Sequence, residues 1–530
     1  MLIDLSAGAP GRLEADVAVI GAGAAGITVA RHLLRRGLRV LLLESGGLDH
    51  HASTSDLNAG ESVGESYYDL ESSRLRFFGG TTAIWGGRCA HLDPIDFEKR
   101  DWVPYSGWPM SEQELCPWYE RARPIVGLPA RRPNFGSANS GVDRLNGGEI
   151  AINHWEFDHQ FDRFGASRNR DLFDHPRITI GIHATVREIV ASPSGRAISH
   201  VEVRSPAGNT LDIHARFFVV AAGGIENARL LLASQSVIPV GIGNQNDLVG
   251  RFFMEHPHGR GGTLSGAPAW KLLNFFANRR ASGVVVAPVL TGTESFQLSG
   301  GLLNSAITIA ARPPAGGRNS LVKRAYLHAK HKVEPTAVAR SLWKSQRLAG
   351  RLVKHSAGPL FPWLGYHSGR SELTIVLRAE QAPNPDSRVM LTDRLDSLGM
   401  RRVRLDWRLG ELDVRSASSL VHAASRAFAS SGLGRIEVAD WLDQNGGWQF
   451  DPLVSAHPIG GFHHMGTTRM ASDPKSGVTD GFGQVHGLAN LFVAGTSLFP
   501  TAGWANPTLT MLALALRTAD RVAAQVQAGA

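Results

Sequence analysis

A glycine-rich turn between a predicted strand and a predicted helix, in DVAVIGAGAAG at residues 16–26, constrains the fold of this chain most strongly. Asp16–Ile20 predicts a short buried strand, and Gly21, Gly23 and Gly26 follow it in a G-x-G-x-x-G pattern. The first glycine allows a tight turn, the second lets the backbone approach a pyrophosphate, and the third lets the helix pack on the strand. The pattern therefore predicts a dinucleotide site at a helix N-terminus, where partial positive charge accumulates.

The residues after this turn complete a strand–helix–strand unit. A helical pattern covers Ala24 to Arg36, and a second predicted strand, Arg39–Leu43, ends at Glu44, 18 residues after Gly26. A carboxylate at that place accepts hydrogen bonds from both ribose hydroxyls and repels a 2′-phosphate, so NADP is disfavoured. NAD and FAD use the same turn, and this unit alone leaves the choice between them open.

Two further segments predict chain that runs close to a flat ligand. Residues 78–87, FGGTTAIWGG, contain four glycines, and Thr81 and Thr82 offer donors to a phosphate or a ring carbonyl. A glycine-rich surface loop would have the same composition. Phe217–Ala222 predicts a buried strand that meets a glycine pair and then a helical pattern, which again suggests chain beside a cofactor.

The rest of the chain predicts a second structural unit beside the parallel sheet. Alternating runs at 184–191 and 197–205 predict antiparallel strands next to that sheet. Between about 261 and 454 glycines become sparser, and this region contains a predicted strand at 403–409 and an amphipathic helix at 414–432. We expect it to form the wall of the substrate site.

Two adjacent histidines stand in FHHMGTTRM, residues 462–470, near the C-terminus. They can be packing residues, metal ligands or a base beside a cofactor. Adjacent residues of a regular element point to different faces, so only one of the two can face a ligand. A metal site would need carboxylates or further histidines at ligand spacing, and we predict none. Downstream, Asn506-Pro507 opens a long helix whose N-terminus carries partial positive charge.

Length and composition indicate a globular protein of two or more domains. The chain has 530 residues, of which 43% are hydrophobic and 19% charged. Two cysteines, Cys89 and Cys116, support neither a disulfide framework nor a thiolate metal site. The N-terminus lacks a basic region followed by an apolar run, and the late run LTMLALAL is too short to span a bilayer. We therefore expect a cytoplasmic protein.

The net charge of +8 is concentrated in one segment, residues 318–354, where Glu334 is the single acidic residue. Apolar residues recur there at near-helical spacing: Val333, Val338, Leu342, Leu348 and Leu352. Such a basic amphipathic segment can rest on a membrane surface or a partner, although it is more commonly a solvated helical face. A nucleic-acid site would need a concentrated basic stripe with interleaved aromatic residues, and this segment is the one candidate for it. We predict no nucleic-acid partner.

These motifs together resemble the glucose–methanol–choline (GMC) family of flavin oxidoreductases over nearly the whole chain. The resembling segments are VIGAGAAG with Glu44, FGGTTAIWGG, FFVVAAGGIENARLLLAS, GRFFMEHP at 250–257, HHMGTTRM, QVHGLANLFVAGTSLFP and GWANPTLT. GGTTAIWGG and ANPTLT are most similar to the branch of pyranose oxidases and bacterial glycoside 3-oxidases and 3-dehydrogenases. The resemblance implies an α/β fold, in which a Rossmann-like FAD-binding domain adjoins an α+β substrate domain built on an antiparallel sheet and helices.

The resemblance also implies domain limits and a set of residues at the cofactor. We predict an FAD-binding domain assembled from residues 11–100, 176–260 and 455–530, and a substrate-binding domain at 261–454. The residues expected to bind FAD are Gly21, Gly23, Ala24, Ala25, Gly26, Glu44, Ser45, Gly79, Gly80, Thr81, Thr82, Ile84, Trp85, Gly86, Gly87, Val186, Ala222, Gly223, Gly495, Thr496, Asn506, Pro507 and Thr508.

Two residues carry the catalytic roles that the resemblance implies. His463, three residues before Gly466-Thr467, matches the histidine of an H-x-x-G-T segment, and Asn506 matches the residue that opens the last helix. Oxidation of an alcohol removes a hydride, which flavin N5 accepts, and a proton, for which imidazole is a suitable base at neutral pH. Asn506 can hold the same hydroxyl, whereas His464 is expected to pack or to support its neighbour.

The resulting prediction is an FAD-dependent oxidoreductase that converts a CH–OH group of a sugar, glycoside or polyol into a carbonyl. Some relatives attach flavin through a histidine in the glycine loop, but the corresponding residue here is Ile84, so we predict non-covalent FAD. No motif reports the electron acceptor, which can be oxygen, a quinone or a cytochrome. The alternatives are a flavin-containing lyase of the same fold and a dehydrogenase subunit that docks a membrane or cytochrome partner through its basic segment.

Overall fold

The computed structural model describes the chain except for residues 9, 10, 12, 136–140, 161, 315–333, 445 and 530, and the side chains of 354–356. The strands are β1 Leu2–Asp4, β2 Glu14–Ile20, β3 Val40–Leu43, β4 Gly60–Gly64, β5 Arg88–Cys89, β6 Ile150–Phe157, β7 Ile178–Ile182, β8 Thr185–Ala191, β9 Ile198–Arg204, β10 Thr210–Val220, β11 His258–Ser265, β12 Arg279–Ala281, β13 Val284–Gly292, β14 Ala306–Arg312, β15 Glu372–Arg378, β16 Arg388–Leu395, β17 Arg401–Trp407, β18 Arg435–Val438 and β19 Leu491–Val493. The α-helices are α1 Ala24–Arg35, α2 Ala52–Ser55, α3 Pro94–Phe97, α4 Glu112–Ala122, α5 Arg170–Phe173, α6 Gly224–Ala233, α7 Ala269–Phe275, α8 Glu294–Gly300, α9 Ala337–Ala357, α10 Leu360–His367, α11 Glu411–Ser430 and α12 Thr508–Ala528.

The first sheet is the parallel sheet that the glycine turn predicts. Its parallel strands run in the order β1-β7-β3-β2-β10-β19. Strand β9 pairs antiparallel with the first half of β10, and β8 pairs antiparallel with β9. Strand β3 is entirely apolar and buried, and β2 is apolar and buried from Val17 to Ile20, as expected where helices cover both faces. The carboxyl ends of β2, β10 and β19 lie side by side, so the chain that follows each strand meets at one edge.

The second sheet is antiparallel and has the order β18-β11-β15-β14-β13-β6-β5, with β12 paired to β13. A smaller sheet of three strands pairs β16 with β17 and β17 with β4. The predicted α/β fold, with an antiparallel second sheet, is therefore confirmed. The predicted domain limits stay a prediction, and β5 and β6 join the second sheet although they precede residue 261.

Most helices and strands that the sequence predicts form close to their expected limits. The runs at 184–191 and 197–205 are the antiparallel pair β8 and β9, and the helix expected at 414–432 is α11. The long C-terminal helix is α12, whose buried residues pack on α1 and α4. These helices cover one face of the first sheet and hold the cofactor edge in place.

Of the basic segment at 318–354, residues 318–333 lie outside the part of the chain that the structure describes. Most of the remaining residues belong to helix α9. Arg340 donates to the Asp49 carboxylate at 2.6 Å, and Arg347 donates to the Trp85 carbonyl oxygen at 3.0 Å, so these two side chains contact the protein, whereas Lys344 and Arg351 are exposed. Its apolar side faces outward, since Val338 is 72% and Leu342 66% exposed. Among the described helices, none has the length and hydrophobicity to cross a membrane.

Candidate active site

The glycine-rich turn after β2, which we call the cradle, packs its backbone closely against neighbouring backbone. The Gly21 amide donates to the Leu43 carbonyl oxygen at 2.7 Å, and a Cβ on Gly26 would lie 1.8 Å from the Gly21 carbonyl oxygen. A Cβ on Gly23 would instead meet no atom within 4 Å. The first and third glycines are thus required by close packing, whereas Gly23 leaves open space at the N-terminus of α1, where a pyrophosphate fits.

Glu44 lies buried at the end of β3, and backbone amides fix its orientation. One carboxylate oxygen accepts from the Ala22 amide at 3.0 Å, and the other accepts from the Gly46 amide at 2.9 Å. Burial raises the pKa of Glu44, and the two amide hydrogen bonds oppose that rise. Each oxygen retains a second lone pair, so the carboxylate can still accept from ribose hydroxyls.

The second glycine loop folds against the first. The Gly79 amide donates to the Ala22 carbonyl oxygen at 2.8 Å, and a Cβ on Gly80 would come within 3.3 Å of the Gly23 Cα. The Thr82 hydroxyl donates to the Gly79 carbonyl oxygen at 2.7 Å, so its hydrogen is already engaged. The Thr81 hydroxyl accepts from the Leu75 amide at 3.1 Å and keeps its own hydrogen for a ligand.

One cleft brings most of the predicted cofactor residues together. Those lining it are Gly21, Gly23, Ala24, Ala25, Glu44, Ser45, Gly80, Thr81, Thr82, Val186, Ala222, Gly223, Gly495, Thr496 and Thr508. The predicted residues Gly26, Gly79, Trp85, Gly86, Gly87, Asn506 and Pro507 do not line it. Ile84 lines an adjoining cavity of about 690 Å³. Leu75 and Phe462 line both spaces, so the cofactor cleft and the cavity are neighbours.

His463 stands in a chain of hydrogen bonds that fixes its tautomer. His256 Nε2 lies 2.8 Å from the Gly503 carbonyl oxygen, which can only accept, so Nε2 carries the hydrogen. Neutral His256 then accepts at Nδ1, 2.7 Å from His463 Nδ1, which must donate. His463 Nε2 is therefore unprotonated, and Asn506 Nδ2 lies 3.1 Å from it. The arrangement presents a lone pair beside an amide at the place where the sequence predicts a catalytic pair.

Burial lowers the pKa of His463 well below its ordinary value, and the neighbouring His256 and His258 lower it further. The His463 side chain remains 16% exposed, so a ligand can reach the ring. A neutral imidazole at physiological pH follows from these surroundings. A base in this state accepts a proton without first having to lose one.

Glu255 lies beneath this pair and was missed by the sequence analysis as a functional residue. Its carboxylate accepts from the backbone amides of His256 at 2.8 Å and His463 at 2.9 Å, and from the Tyr67 hydroxyl at 2.8 Å. Burial raises the pKa of Glu255 to about 7, against the lowering effect of these hydrogen bonds. One oxygen lies 3.8 Å from His463 Nδ1, close enough to stabilise an imidazolium.

His464 lines the cofactor cleft, whereas His463 is not among the residues that line it. Its Nε2 lies 2.9 Å from the Tyr67 hydroxyl oxygen, and its ring packs against Phe253. Burial lowers the pKa of His464 to about 3, and the nearby Arg74 adds to the effect. Phe462, at φ 59°, occupies the left-handed region just before the two histidines. Backbone strain of this kind is common where a site requires a particular side-chain direction.

Two glycines before the histidines leave space for the His463 ring and the Glu255 side chain. A Cβ on Gly461 would lie 2.5 Å from the His463 ring, and a Cβ on Gly460 would lie 2.5 Å from the Glu255 side chain. The segment GRFFMEHP resembled the family, but no period or spacing assigned a role to Glu255 or His256. Their partners come from distant parts of the chain, so the available signal was the motif itself.

Three possible metal ligands, His200, Glu202 and Asp212, lie on β9 and β10, with ligand atoms within 4.8 Å of one another. They stand on the antiparallel end of the first sheet, away from the glycine cradle. The sequence predicts no metal, and that prediction remains untested.

Comparison with known proteins identifies the fold family. Residues 383–515 match the family described as GMC oxidoreductase, and residues 16–241 match the family described as FAD dependent oxidoreductase. The chain thus carries a GMC oxidoreductase C-terminal domain and an FAD-dependent oxidoreductase domain. FAD is accordingly the dinucleotide of the cradle, and both the family and the cofactor predicted from the sequence are confirmed.

Two of the relatives match along almost their whole length, and a third matches over about a quarter of this chain. Paromamine 6'-oxidase of Streptomyces fradiae is 27% identical, with 96% of this chain and 91% of the relative covered. 2-Methyl-1,2-propanediol dehydrogenase of Mycolicibacterium austroafricanum is 26% identical over 96% and 95% of the two chains. C-glycoside 3-oxidase of Arthrobacter globiformis is 34% identical over 25% of this chain and 23% of the relative.

Solved structures share the GMC fold. A pyridoxine 4-oxidase matches with a TM-score of 0.55 and 17% identity, covering 96% of this chain and 98% of that one. A formate oxidase matches with a TM-score of 0.56 and 16% identity, covering 97% and 99%. These structures agree in architecture with the two large sheets described above.

The residues present fit FAD. Open space beyond Gly23 and Gly223 admits a pyrophosphate, because a Cβ on either would meet no atom within 4 Å. Glu44 is oriented by two amides and retains lone pairs for ribose hydroxyls. The N-terminus of α12 lines the same cleft through Thr508. These features suit the diphosphate and a ribose of FAD.

Proposed function

We propose that this flavoprotein oxidises a CH–OH group of a sugar, glycoside or polyol to a carbonyl, with His463 as the base. The supporting observation is the unprotonated Nε2 of His463 beside Asn506 Nδ2, 3.1 Å apart. The relatives named paromamine 6'-oxidase, C-glycoside 3-oxidase and 2-methyl-1,2-propanediol dehydrogenase favour an alcohol substrate. When bound, FAD supplies the acceptor for the hydride that leaves carbon.

The residues of the chain handle the proton. His463 Nε2 takes it from the substrate hydroxyl, and Asn506 orients that oxygen through its amide. The imidazolium that forms keeps its Nδ1–H directed at His256, and the Glu255 carboxylate 3.8 Å away stabilises the new charge. His256 acts as a positioning residue, because its hydrogen bond to Gly503 determines which nitrogen of His463 is free.

The test of this proposal is anaerobic reduction of the flavin by a panel of sugars, glycosides and polyols. We expect at least one neutral or acidic sugar to bleach the flavin absorbance, and the carbonyl product to appear in equal amount. A panel in which no alcohol reduces the flavin would contradict the proposal and would favour the lyase alternative of the same fold.

We further propose that FAD is attached non-covalently, because Ile84 offers no nucleophile in the glycine loop. Flavin that stays with acid-precipitated protein would contradict this. The electron acceptor is left open among oxygen, a quinone and a cytochrome. A contact of the 318–354 segment with a membrane or a partner also remains a proposal, favoured by the outward-facing apolar residues of α9.

A further inference from the structure

Three partly buried arginines of the second sheet have no acidic partner among the described residues. Among the described residues, no carboxylate forms an ion pair with Arg88 on β5, Arg312 on β14 or Arg378 on β15. Arg378 donates to the Thr308 hydroxyl at 3.0 Å, and Arg312 donates to the Val454 carbonyl oxygen at 2.6 Å. Arg88 Nε is buried without a hydrogen-bond partner. These guanidinium groups are held in place, but their charge is not neutralised.

Several fully buried arginines of this protein are paired with carboxylates, although Arg469 and Arg517 are buried without an ion pair among the described residues. Arg100 pairs with Glu380 at 2.7 Å, and Arg123 pairs with Glu156 at 2.6 Å. Residues 315–333, which lie outside the described part, contain no Asp or Glu and cannot supply the missing carboxylate. A buried charge without a partner is costly, so an anion from outside the chain is the simplest compensation.

The three guanidinium groups act on one another. Arg88 and Arg378 lie over the same ring, that of Trp155, at 5.3 and 5.2 Å from its centroid. Burial lowers the pKa of Arg378 well below its ordinary value, and Arg88 and Arg312 lower it further. Mutual repulsion of this kind marks a concentrated positive region, which attracts negative ligands.

This region borders the proposed catalytic pair. The ring of Trp155 lies 5.9 Å from that of Trp504, two residues before Asn506. On the neighbouring strand, His258 is the register partner of Arg378 and belongs to the group that lowers the pKa of His463. Arg88 itself follows directly after the second glycine loop. A ligand held here can present a hydroxyl to His463.

We propose that the alcohol substrate carries a carboxylate, as in a uronic acid or another acidic sugar, and that Arg88, Arg312 and Arg378 bind this group. The inference rests on the proposed oxidation of a CH–OH group and names the class of substrate for it. Guanidinium groups bind carboxylates through paired, charge-assisted hydrogen bonds. The flavin phosphates do not take this role, because their cradle lies at the other sheet.

The experiment uses FAD-loaded protein and chemically matched sugars at low salt. Glucuronic acid is compared with glucose, glucose 6-phosphate and glucosamine in anaerobic flavin reduction, which gives a Kd and a limiting rate for each. The acidic sugar is expected to bind at least about tenfold more tightly than glucose, and added salt is expected to weaken it selectively. Tighter binding of glucose, glucosamine or the phosphate ester would overturn the proposal.

Substitutions of two of the arginines test whether they bind the carboxylate of the sugar. Arg88→Gln and Arg378→Gln are expected to raise the Kd of the acidic sugar about tenfold and to leave that of a neutral sugar unchanged. Arg426→Gln, at an exposed pair on α11, is the control and is expected to change neither. A parallel loss for neutral and acidic sugars would instead assign the arginines to the flavin or the fold, and would overturn the proposal.

A measurement without turnover separates this inference from the proposed function. The acidic sugar is expected to raise the unfolding midpoint of the wild-type protein and of Arg426→Gln, but not that of Arg378→Gln. If acids raise the midpoint but no sugar reduces the flavin, the anion site stands and the proposed oxidation fails. If neutral sugars reduce the flavin and acids shift nothing, the oxidation stands and the anion site is overturned.

Discussion

At the scale of single residues, the site is a sequence of fixed hydrogen bonds that ends at the lone pair of His463 Nε2, beside the Asn506 amide. The Gly503 carbonyl determines the tautomer of His256, and His256 determines that of His463. Glu255 collects amide and hydroxyl donors beneath them. No histidine in this chain of contacts needs to be charged before substrate arrives.

The first residue-scale prediction concerns pH. Because burial lowers the pKa of His463 below 6.5, its base form is present at neutral pH and is lost only as pH falls below that value. The Glu255 carboxylate, whose pKa is about 7, must also be ionised, so the rate of flavin reduction is expected to be flat only above about pH 8 and to decline on the acidic side. Stopped-flow reduction across this range measures it, and an acid limb centred well above pH 7 would contradict the assignment.

The second residue-scale prediction concerns His256. Replacement by leucine removes the acceptor for His463 Nδ1 and frees that ring to adopt the wrong tautomer, so kcat is expected to fall about 10- to 100-fold with a smaller change in KM. Asparagine offers an oxygen near the position of the lost Nδ1 and is expected to restore part of the activity. Equal losses in both variants, with no shift of the pH profile, would reduce His256 to a packing residue.

At the scale of elements, helices and strands with a strong local sequence pattern were predictable. The strands with which they pair in a sheet were not. The glycine turn predicted β2, α1 and β3 because its φ/ψ demands and its apolar runs are local. Strands β5 and β6 were missed as parts of the second sheet, because their pairing partners lie far along the chain. His463 was predictable through a motif, whereas the arginine region arises only where separate strands meet.

Helix α9 carries an element-scale prediction. Leu342, Leu348 and Leu352 are 66%, 56% and 61% exposed, so replacing all three with serine is expected to leave the unfolding midpoint and the flavin reduction rate unchanged. If the helix rests on lipid, the variant also loses the wild-type binding to anionic vesicles. Cosedimentation measures that binding, and an unaltered bound fraction would remove the membrane prediction for this segment.

At the scale of the whole molecule, buried ion pairs connect the second sheet to the chain around the flavin. Arg100 donates to both oxygens of Glu380, and both side chains are almost fully buried. Glu380 also accepts from the amide of Gly503, whose carbonyl oxygen lies 2.8 Å from His256 Nε2. The catalytic tautomer thus depends on a contact between distant segments.

Arg100→Met is expected to destabilise the FAD-loaded protein by about 3–5 kcal/mol, because it leaves the Glu380 carboxylate buried and unpaired. The double variant Arg100→Met, Glu380→Leu removes both charges and is expected to lose less. Denaturant unfolding followed by tryptophan fluorescence measures both. A double variant as unstable as the single one would show that packing, and not charge, is the cause.

The central claim is that the imidazole at position 463 takes the substrate proton. Its most direct test is the limiting rate of anaerobic flavin reduction in His463→Ala beside the matched control His464→Ala, with FAD content checked in both. We predict a loss of at least about 100-fold for the first variant and a much smaller one for the second. Reduction of His463→Ala at the wild-type rate, or equal losses in both variants, would contradict the account.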